Sequence, residues 1–394
     1  VPMSLAVLGG LIILAHPSKD ANLFWPLNVI SPLSLLFYLV GHLAFLAHVE
    51  SGGLRPLAAC LGALLLSMTT YDQTAFLPLC WMITPGLFKE GFSPRAKKGV
   101  LLALGLVAAF LCYKLFLAPR LFEIPYSKAV LLSPTQFLKT YLGGLNALFG
   151  PSLLLGILTG LWRSAASPLV LLLGLALPWL CLSLFRRSDA GQRSAPADSL
   201  ALLGAAVFLL GYLPVAFSDY VPTPLNHQNR INLAPSLGIV LAALGCVAGK
   251  IPMGRGPVVL AACAGVFLAA SAGFAKTWAE SYRLQCGVVE LVERKLPSWP
   301  QDKLLLVLLP DRYVDRKAPV FDAYWDISGA IRLATGDARR RAAVVSPRMR
   351  FEPDRIIEAG HADLSYGEVV LLDVGRGELS DVAFEDLSRL PPPR

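Results

Sequence analysis

Acidic side chains are scarce in the first two thirds of this chain: residues 1 to 275 hold 8 Asp and Glu, against 17 Lys and Arg. With 55% hydrophobic residues and a mean hydropathy of +0.58, the chain carries more apolar surface than a soluble protein of its length would bury. There is no Cys-x-x-Cys pair and no Cys/His spacing of a zinc site. Six of the seven cysteines (Cys60, Cys80, Cys112, Cys181, Cys246, Cys263 and Cys286) lie in apolar segments, which argues against a disulfide framework and reads as small buried hydrophobes. No basic patch is interleaved with aromatics, so the net charge of +8 gives no reason to expect a nucleic-acid partner. The cationic excess belongs instead to the apolar part and its loops, where cytoplasmic Lys and Arg set orientation.

What is present is a series of apolar runs near the length of about 20 residues that a membrane crossing needs. They fall at 1–15, 29–48, 55–70, 74–88, 98–118, 167–185, 199–217, 231–249 and 256–275. The stretch 135–162 is apolar too, but its glycines and Pro151 interrupt a continuous helix. If it does not cross, the loops at Arg55, at Lys89/Arg95/Lys97/Lys98, at Arg186/Arg187/Arg193 and at Lys250/Arg255 share one side and collect 10 Lys and Arg, against 7 on the other. If it crosses, that bias collapses. The expectation is therefore an interfacial or re-entrant helix on the outer face, beside about nine spans. The membrane partner is a lipid bilayer, the cytoplasmic (inner) membrane. The chain opens on Val1 inside an apolar helix that the same parity starts on the cytoplasmic side, so further spans are expected to precede it.

Composition shifts near Lys276, after which residues 276 to 394 hold 18 Lys and Arg and 19 Asp and Glu. Short runs such as "KLLLVLLP", "AAVVSP" and "GEVVLLDV" read as strands, separated by helical "KTWAESYRLQCGVVELVERKL" and "WDISGAIRLATGD". The fold class expected is a mainly α polytopic transmembrane helix bundle, 1–275, with a small α/β or α+β extracytoplasmic domain, 276–394. That domain shows no Gly-rich phosphate loop, nucleophile elbow or zinc motif, and the chain shows no internal repeat. Asp322, Tyr324, Trp325 and Asp326 could touch a sugar or acceptor; core packing and helix capping are their plainer roles. "DARRRAAV" reads as a solvated charge run and "PPPR" as a disordered tail.

On the outer face this topology gathers His16, Asp20, Asp72, Asp219 and Arg230. Asp72 sits in a short polar turn between two apolar runs, where a carboxylate at membrane depth costs up to about 2.5–3.5 kcal/mol unless it faces a polar cavity or a partner. It could equally cap the next helix. Asp20 could be an ordinary surface acid, and His16 an interfacial histidine satisfied by backbone. Arg230 opens an apolar run, and a planar, permanently charged fork at an apolar wall suits a phosphate whose lipid tail lies in the bilayer; snorkelling is the plainer reading. Asn229, His227 and Tyr220 could add donors.

Three blocks in this order resemble the GT-C superfamily of polytopic glycosyltransferases, in particular its protein O-mannosyltransferase-like members. "LAHPSKDANLFW" is similar to the family's His-Pro block with a following acid and Trp, here His16, Pro17 and Trp25, although Asp20 stands one place early and Ala21 holds the usual Glu position. "LLSMTTYDQTAFLPL" resembles its Ser-Lys-Glu turn, with Asp72 at the acidic position. "NRINLAPSLG" resembles its Glu-Arg-Tyr-Leu-Tyr-Leu-Pro-Ser-x-Gly: Arg230, Pro235, Ser236 and Gly238 match, while Asn229 replaces the Glu.

The resemblance implies transfer of a sugar from a polyprenyl-phosphate donor to a hydroxyl of a protein or glycan acceptor on the outer face. It implies catalytic roles for Asp20, Asp72 and His16, a donor site at Arg230, Asn229, His227, Tyr220 and Asp219, and room for a divalent metal ion. The family's base lies in a first outer loop that this sequence does not include. That leaves a non-catalytic subunit of a membrane complex as the alternative. A transporter or channel fits less well, because the spans hold few charges and show no two-half symmetry.

Overall fold

The computed structural model describes residues 3–25, 28–84, 93–121, 133–185, 197–218, 220–224, 227–250, 255–322, 324–346, 349–358, 363–382, 384 and 387, the side chains of Pro119, His227, Lys250, Trp325 and Glu358 excepted. The chain divides into two compact units, Val1–Ala275 and Lys276–Arg394. Most of it is helical. In the first unit run α1 (Met3–Ala15), α2 (Ile30–Ser51), α3 (Leu54–Thr70), α4 (Pro94–Cys112), α5 (Pro134–Phe149), α6 (Pro151–Ala165), α7 (Pro168–Phe185), α8 (Ala197–Ala216) and α9 (Leu233–Lys250). Helix α10 (Gly256–Lys295) starts there and ends in the second unit. Among the described residues seven helical segments are long and apolar enough to cross a membrane, counting α5 with α6 as one, and α1 and α3 are shorter apolar helices.

Small residues set a close contact between α8 and α9. A Cβ on Gly204 would stand 2.3 Å from the backbone nitrogen of Ala242, and one on Gly238 the same distance from that of Phe208. Only glycine lets two backbones come that close, and such contacts are a principal source of helix association where lipid leaves no hydrophobic drive. Among the seven segments, α9 with its lead-in is the most buried and α7 the least; α7 turns Leu169, Leu172, Leu173, Leu180 and Leu184 outward.

The contacts sort the helix ends into two groups. At one end, called here the site end, the Ser271 hydroxyl donates to the carbonyl of Ala15 (2.7 Å), the Ser34 hydroxyl to that of Ser67 (2.8 Å), and Lys114 reaches Asp72. At the other end Arg95, in the first turn of α4, donates to the Glu50 carbonyl (3.1 Å), and a Cβ on Gly249 would touch Ala197. The pair α5 and α6 both begins and finishes at the site end. Gln136 donates to the Tyr220 carbonyl (2.9 Å), whereas at the far end of the pair the Ser164 hydroxyl donates to Ala269. Between them Gly150 is extended (φ −84°, ψ −172°) and Pro151 starts the second helix, so the chain breaks where the sequence places its breakers.

One stretch departs from the expectation of an apolar α-helix over 74–88. Residues 72–74 and 77–82 form 3-10 turns, with i to i+3 bonds from Ala75 to Asp72, Leu79 to Phe76 and Ile83 to Cys80. The segment descends along α2: the Tyr38 hydroxyl donates to the Leu77 carbonyl (3.2 Å), and further along the Trp81 ring stacks on Phe45 at 4.7 Å. Leu77, Cys80 and Trp81 are fully buried. Non-helical backbone at membrane depth is tolerated where protein encloses it, which is the case here. Residues 85–88 of that run lie outside the described residues.

The second unit holds a four-stranded sheet of order β4-β1-β8-β9, with β1 (Leu304–Leu308), β4 (Ala342–Val344), β8 (Val369–Asp373) and β9 (Glu378–Asp381). β1 pairs in parallel with β4 and β8, and β8 antiparallel with β9. Helix α11 (Tyr324–Thr335) makes the crossover from β1 to β4, the handed connection that parallel neighbours require. A hairpin, β2 (Tyr313–Val314) and β3 (Ala318–Pro319), turns through Asp315 and Arg316 at positive φ; a smaller sheet joins β5 (Met349–Phe351), β6 (Arg355–Glu358) and β7 (Leu364–Ser365).

Candidate functional site

Three segments of short helical turns meet at the site end: His16–Trp25, Tyr71–Thr74 and His227–Asn232. Asparagines hold them together. Asn229 donates to the Asp20 carboxylate (2.5 Å) and accepts from the backbone nitrogen of Ala21 (3.1 Å). Asn232 donates to the carbonyls of Ser18 (2.7 Å) and Thr223 (2.9 Å) and accepts from the Tyr212 hydroxyl (2.8 Å). Asn22 donates to the Arg230 carbonyl (3.1 Å), and the Gln73 amide donates to that of Ile231. Buried amides that satisfy both donor and acceptor fix the segments in one arrangement, since removing any partner strands a buried polar group at a cost of roughly 1–3 kcal/mol.

The expected acids separate. Asp20 is fully buried against Asn229, heading the helical turn Ala21–Phe24. A Glu at position 229 would set two carboxylates against each other there; Asn229 donates instead. His16 is buried too, with its Nδ1 2.8 Å from the Ser18 hydroxyl and its ring edge-on to Phe267. Burial, helped by the Lys19 charge, drives its pKa down to about 3, so the ring is neutral at any physiological pH. Lys19, which sequence reasoning passed over, is also buried; its ammonium donates to the Leu14 carbonyl (3.2 Å), and burial lowers its pKa to about 8 against the pull of Asp20.

Asp72 is the open one. Its side chain is 56% exposed and pairs with Lys114, 46% exposed, at 3.4 Å. An exposed pair of this kind contributes about 1 kcal/mol at most, so fold stability does not explain it. Next to it, burial raises the Tyr71 pKa, opposed by the nearby guanidinium of Arg230; the charge of Asp72 and the hydroxyl of Tyr220 push it further up. Arg230 lies half-buried over the Trp25 ring at 5.6 Å.

The structure therefore brings Arg230, Tyr71, Trp25, Tyr220 and Asp72 together, and puts His16, Asp20 and Asn229 in the scaffold beneath. Asp219 and the side chain of His227 lie outside the described residues. Trp25 stood in a recognisable block, but Tyr71 and Lys114 carried no signal: one is an aromatic in a polar turn, the other a single cation in an apolar run. Among the described residues no three His, Cys, Asp or Glu side chains converge as metal ligands; Asp20 is bonded by Asn229 and Asp72 by Lys114.

In the second unit, Asp326 accepts from the backbone nitrogen of Asp322 (3.2 Å) at the start of α11, and the Tyr313 hydroxyl donates to Asp322 (3.1 Å). These are helix-start contacts. Tyr324 is 43% exposed, and the Trp325 side chain lies outside the described residues. Compared with models of known families, with curated proteins and with solved structures, the chain matches none.

Proposed function

We propose that the chain is an integral-membrane glycosyltransferase of the GT-C class, resident in the cytoplasmic membrane, that moves a sugar from a polyprenyl phosphate to an acceptor hydroxyl on the outer face. In this reading the chain passes the bilayer nine times, with the expected span 74–88 as one pass and α5–α6 dipping in from the outer side. The site end faces outward, as does the domain beyond Lys276.

The observation that carries the reading is Arg230. Its guanidinium is backed by an indole and steadied by a tyrosine, beside the one open carboxylate among the three expected catalytic groups. A delocalised cation held at an apolar boundary is suited to an anionic headgroup whose tail stays in lipid. In the reaction the acceptor oxygen attacks the anomeric carbon, its proton passes to the Asp72 carboxylate, and the carbon–oxygen bond to the lipid phosphate breaks toward Arg230. His16, Asp20 and Asn229 position the two segments that carry Trp25 and Arg230.

A second reading, a non-catalytic membrane subunit with the same scaffold, draws on the sealing of Asp20 and His16, which leaves one carboxylate where the family uses more. Reconstitution in lipid nanodiscs separates the two. The enzyme reading expects polyprenyl monophosphate to bind, binding to weaken about tenfold in Arg230→Ala, and release of polyprenyl phosphate from a polyprenyl-phosphate hexose to fall at least about a hundredfold in Asp72→Asn. Turnover unchanged in Asp72→Asn removes the carboxylate from the chemistry; absent turnover in the native chain with intact binding favours the subunit.

A further inference from the structure

The last turns of α4 abandon α geometry. Tyr113–Leu117 is a five-residue π-turn, a form that is rare and is kept mostly where a side chain has to be re-aimed at a functional site. All five of its side chains are exposed, and Lys114 is the one charged group among Tyr113, Leu115, Phe116 and Leu117. Its ammonium stands 5.9 Å from the centre of the Phe110 ring and 3.4 Å from the Asp72 carboxylate. Asp72 adjoins Tyr71, whose hydroxyl feels both that carboxylate and the guanidinium of Arg230. A wide turn has thus been used to bring a second cation to the one open carboxylate, in a pair too exposed to serve stability.

We infer that Lys114 is a substrate-responsive latch on Asp72. In the free protein the carboxylate holds the ammonium. When a lipid phosphate sits at Arg230, the flexible lysine exchanges the carboxylate for a phosphate oxygen, and Asp72 is left unpaired to accept the acceptor proton. No proton moves in the exchange itself; Lys114 stays an ammonium throughout. Donor binding and release of the base become one event, so Asp72 is withheld until there is a donor to react. The inference rests on the assignment of Arg230 as the headgroup site.

Two opposed ligands for one ammonium give a thermodynamic signature. Polyprenyl monophosphate, titrated into the full chain in nanodiscs, should bind about tenfold more weakly to Lys114→Gln, and Lys114→Arg should restore most of the loss. Asp72→Asn should bind several-fold more tightly, because the phosphate no longer competes with a carboxylate. Plain repulsion between Asp72 and the phosphate would also tighten binding, and the double variant separates the two causes: with a latch, the gain from Asp72→Asn disappears in the Lys114→Gln background, whereas repulsion keeps it. A gain of equal size in both backgrounds overturns the latch and leaves the headgroup site standing. No binding by the native chain overturns both. Inorganic phosphate serves as the second arm: equal coupling with it assigns the exchange to the phosphate alone, and coupling seen only with the lipid assigns it to a headgroup held at the membrane surface. All five proteins should share one elution profile and melting temperature, since both side chains are half exposed.

Discussion

Lys19 shows how much the loop after α1 is made to bear. Its ammonium is buried, and the lowering from 10.5 to about 8 corresponds to roughly 3 kcal/mol of unfavourable burial while it is charged. Below about pH 8 the group is protonated in folded and unfolded chains alike and the whole cost is present. Between about 8 and 10.5 the unfolded chain holds the extra proton, so stability rises with pH and the cost fades. The apparent melting temperature in detergent should therefore climb across that window in the native chain relative to Lys19→Met, whose profile lacks this contribution. Parallel profiles would mean that the ammonium reaches water. At this scale the sequence picked out Asp20, Asn229, Asp72 and Arg230 one by one, through their scarcity in an apolar background. The bond from Asn229 to Asp20 could not be read, because it joins residues 209 apart and depends on two helices folding back on one another.

Among the elements, α8 and α9 make a close backbone approach, and the demand falls on particular glycines. An alanine methyl at Gly238 would overlap the backbone of Phe208, which cannot swing aside as a flexible side chain could. Gly238→Ala should cost at least about 1–3 kcal/mol, read as reduced yield of folded protein and a lower melting temperature in detergent. Gly62→Ala in α3 is the matched control: that position has open space around its Cβ, and the exchange should be neutral or mildly stabilising through helix propensity. A tolerated Gly238→Ala would mean that the two helices stand further apart.

Element boundaries followed the punctuation of the sequence closely at Gly150 and Pro151. They failed at 74–82, where an apolar run of span-like composition folds as 3-10 turns because α2 and α4 enclose it. At α10 the apolar run 256–275 and the helical run expected from Lys276 join end to end. No proline interrupts the helix there, so it continues to Lys295.

For the whole molecule, orientation turns on the pair α5 and α6. With 16 and 15 residues they are roughly 24 and 22 Å long, each shorter than the roughly 30 Å hydrocarbon core. A continuous helix over 134–165 would cross, but the break at Gly150–Pro151 and the anchoring of both Gln136 and Ser164 at the site end work against it. Charge distribution points the same way. Arg55, Arg95, Lys97, Lys98 and Arg255 all lie at or near helix starts at the end opposite the site, the pattern expected of a cytoplasmic surface. Fusions to a reporter that matures only outside the cytoplasm make the alternatives exclusive. Placed after Ser167, after Phe185 and after Arg394, the reporter should be active, inactive and active in turn. If α5 and α6 together cross the bilayer, every later segment inverts and the order becomes inactive, active, inactive. That outcome would put the domain after Lys276 in the cytoplasm, and the positive-inside bias would then be carried by the wrong loops.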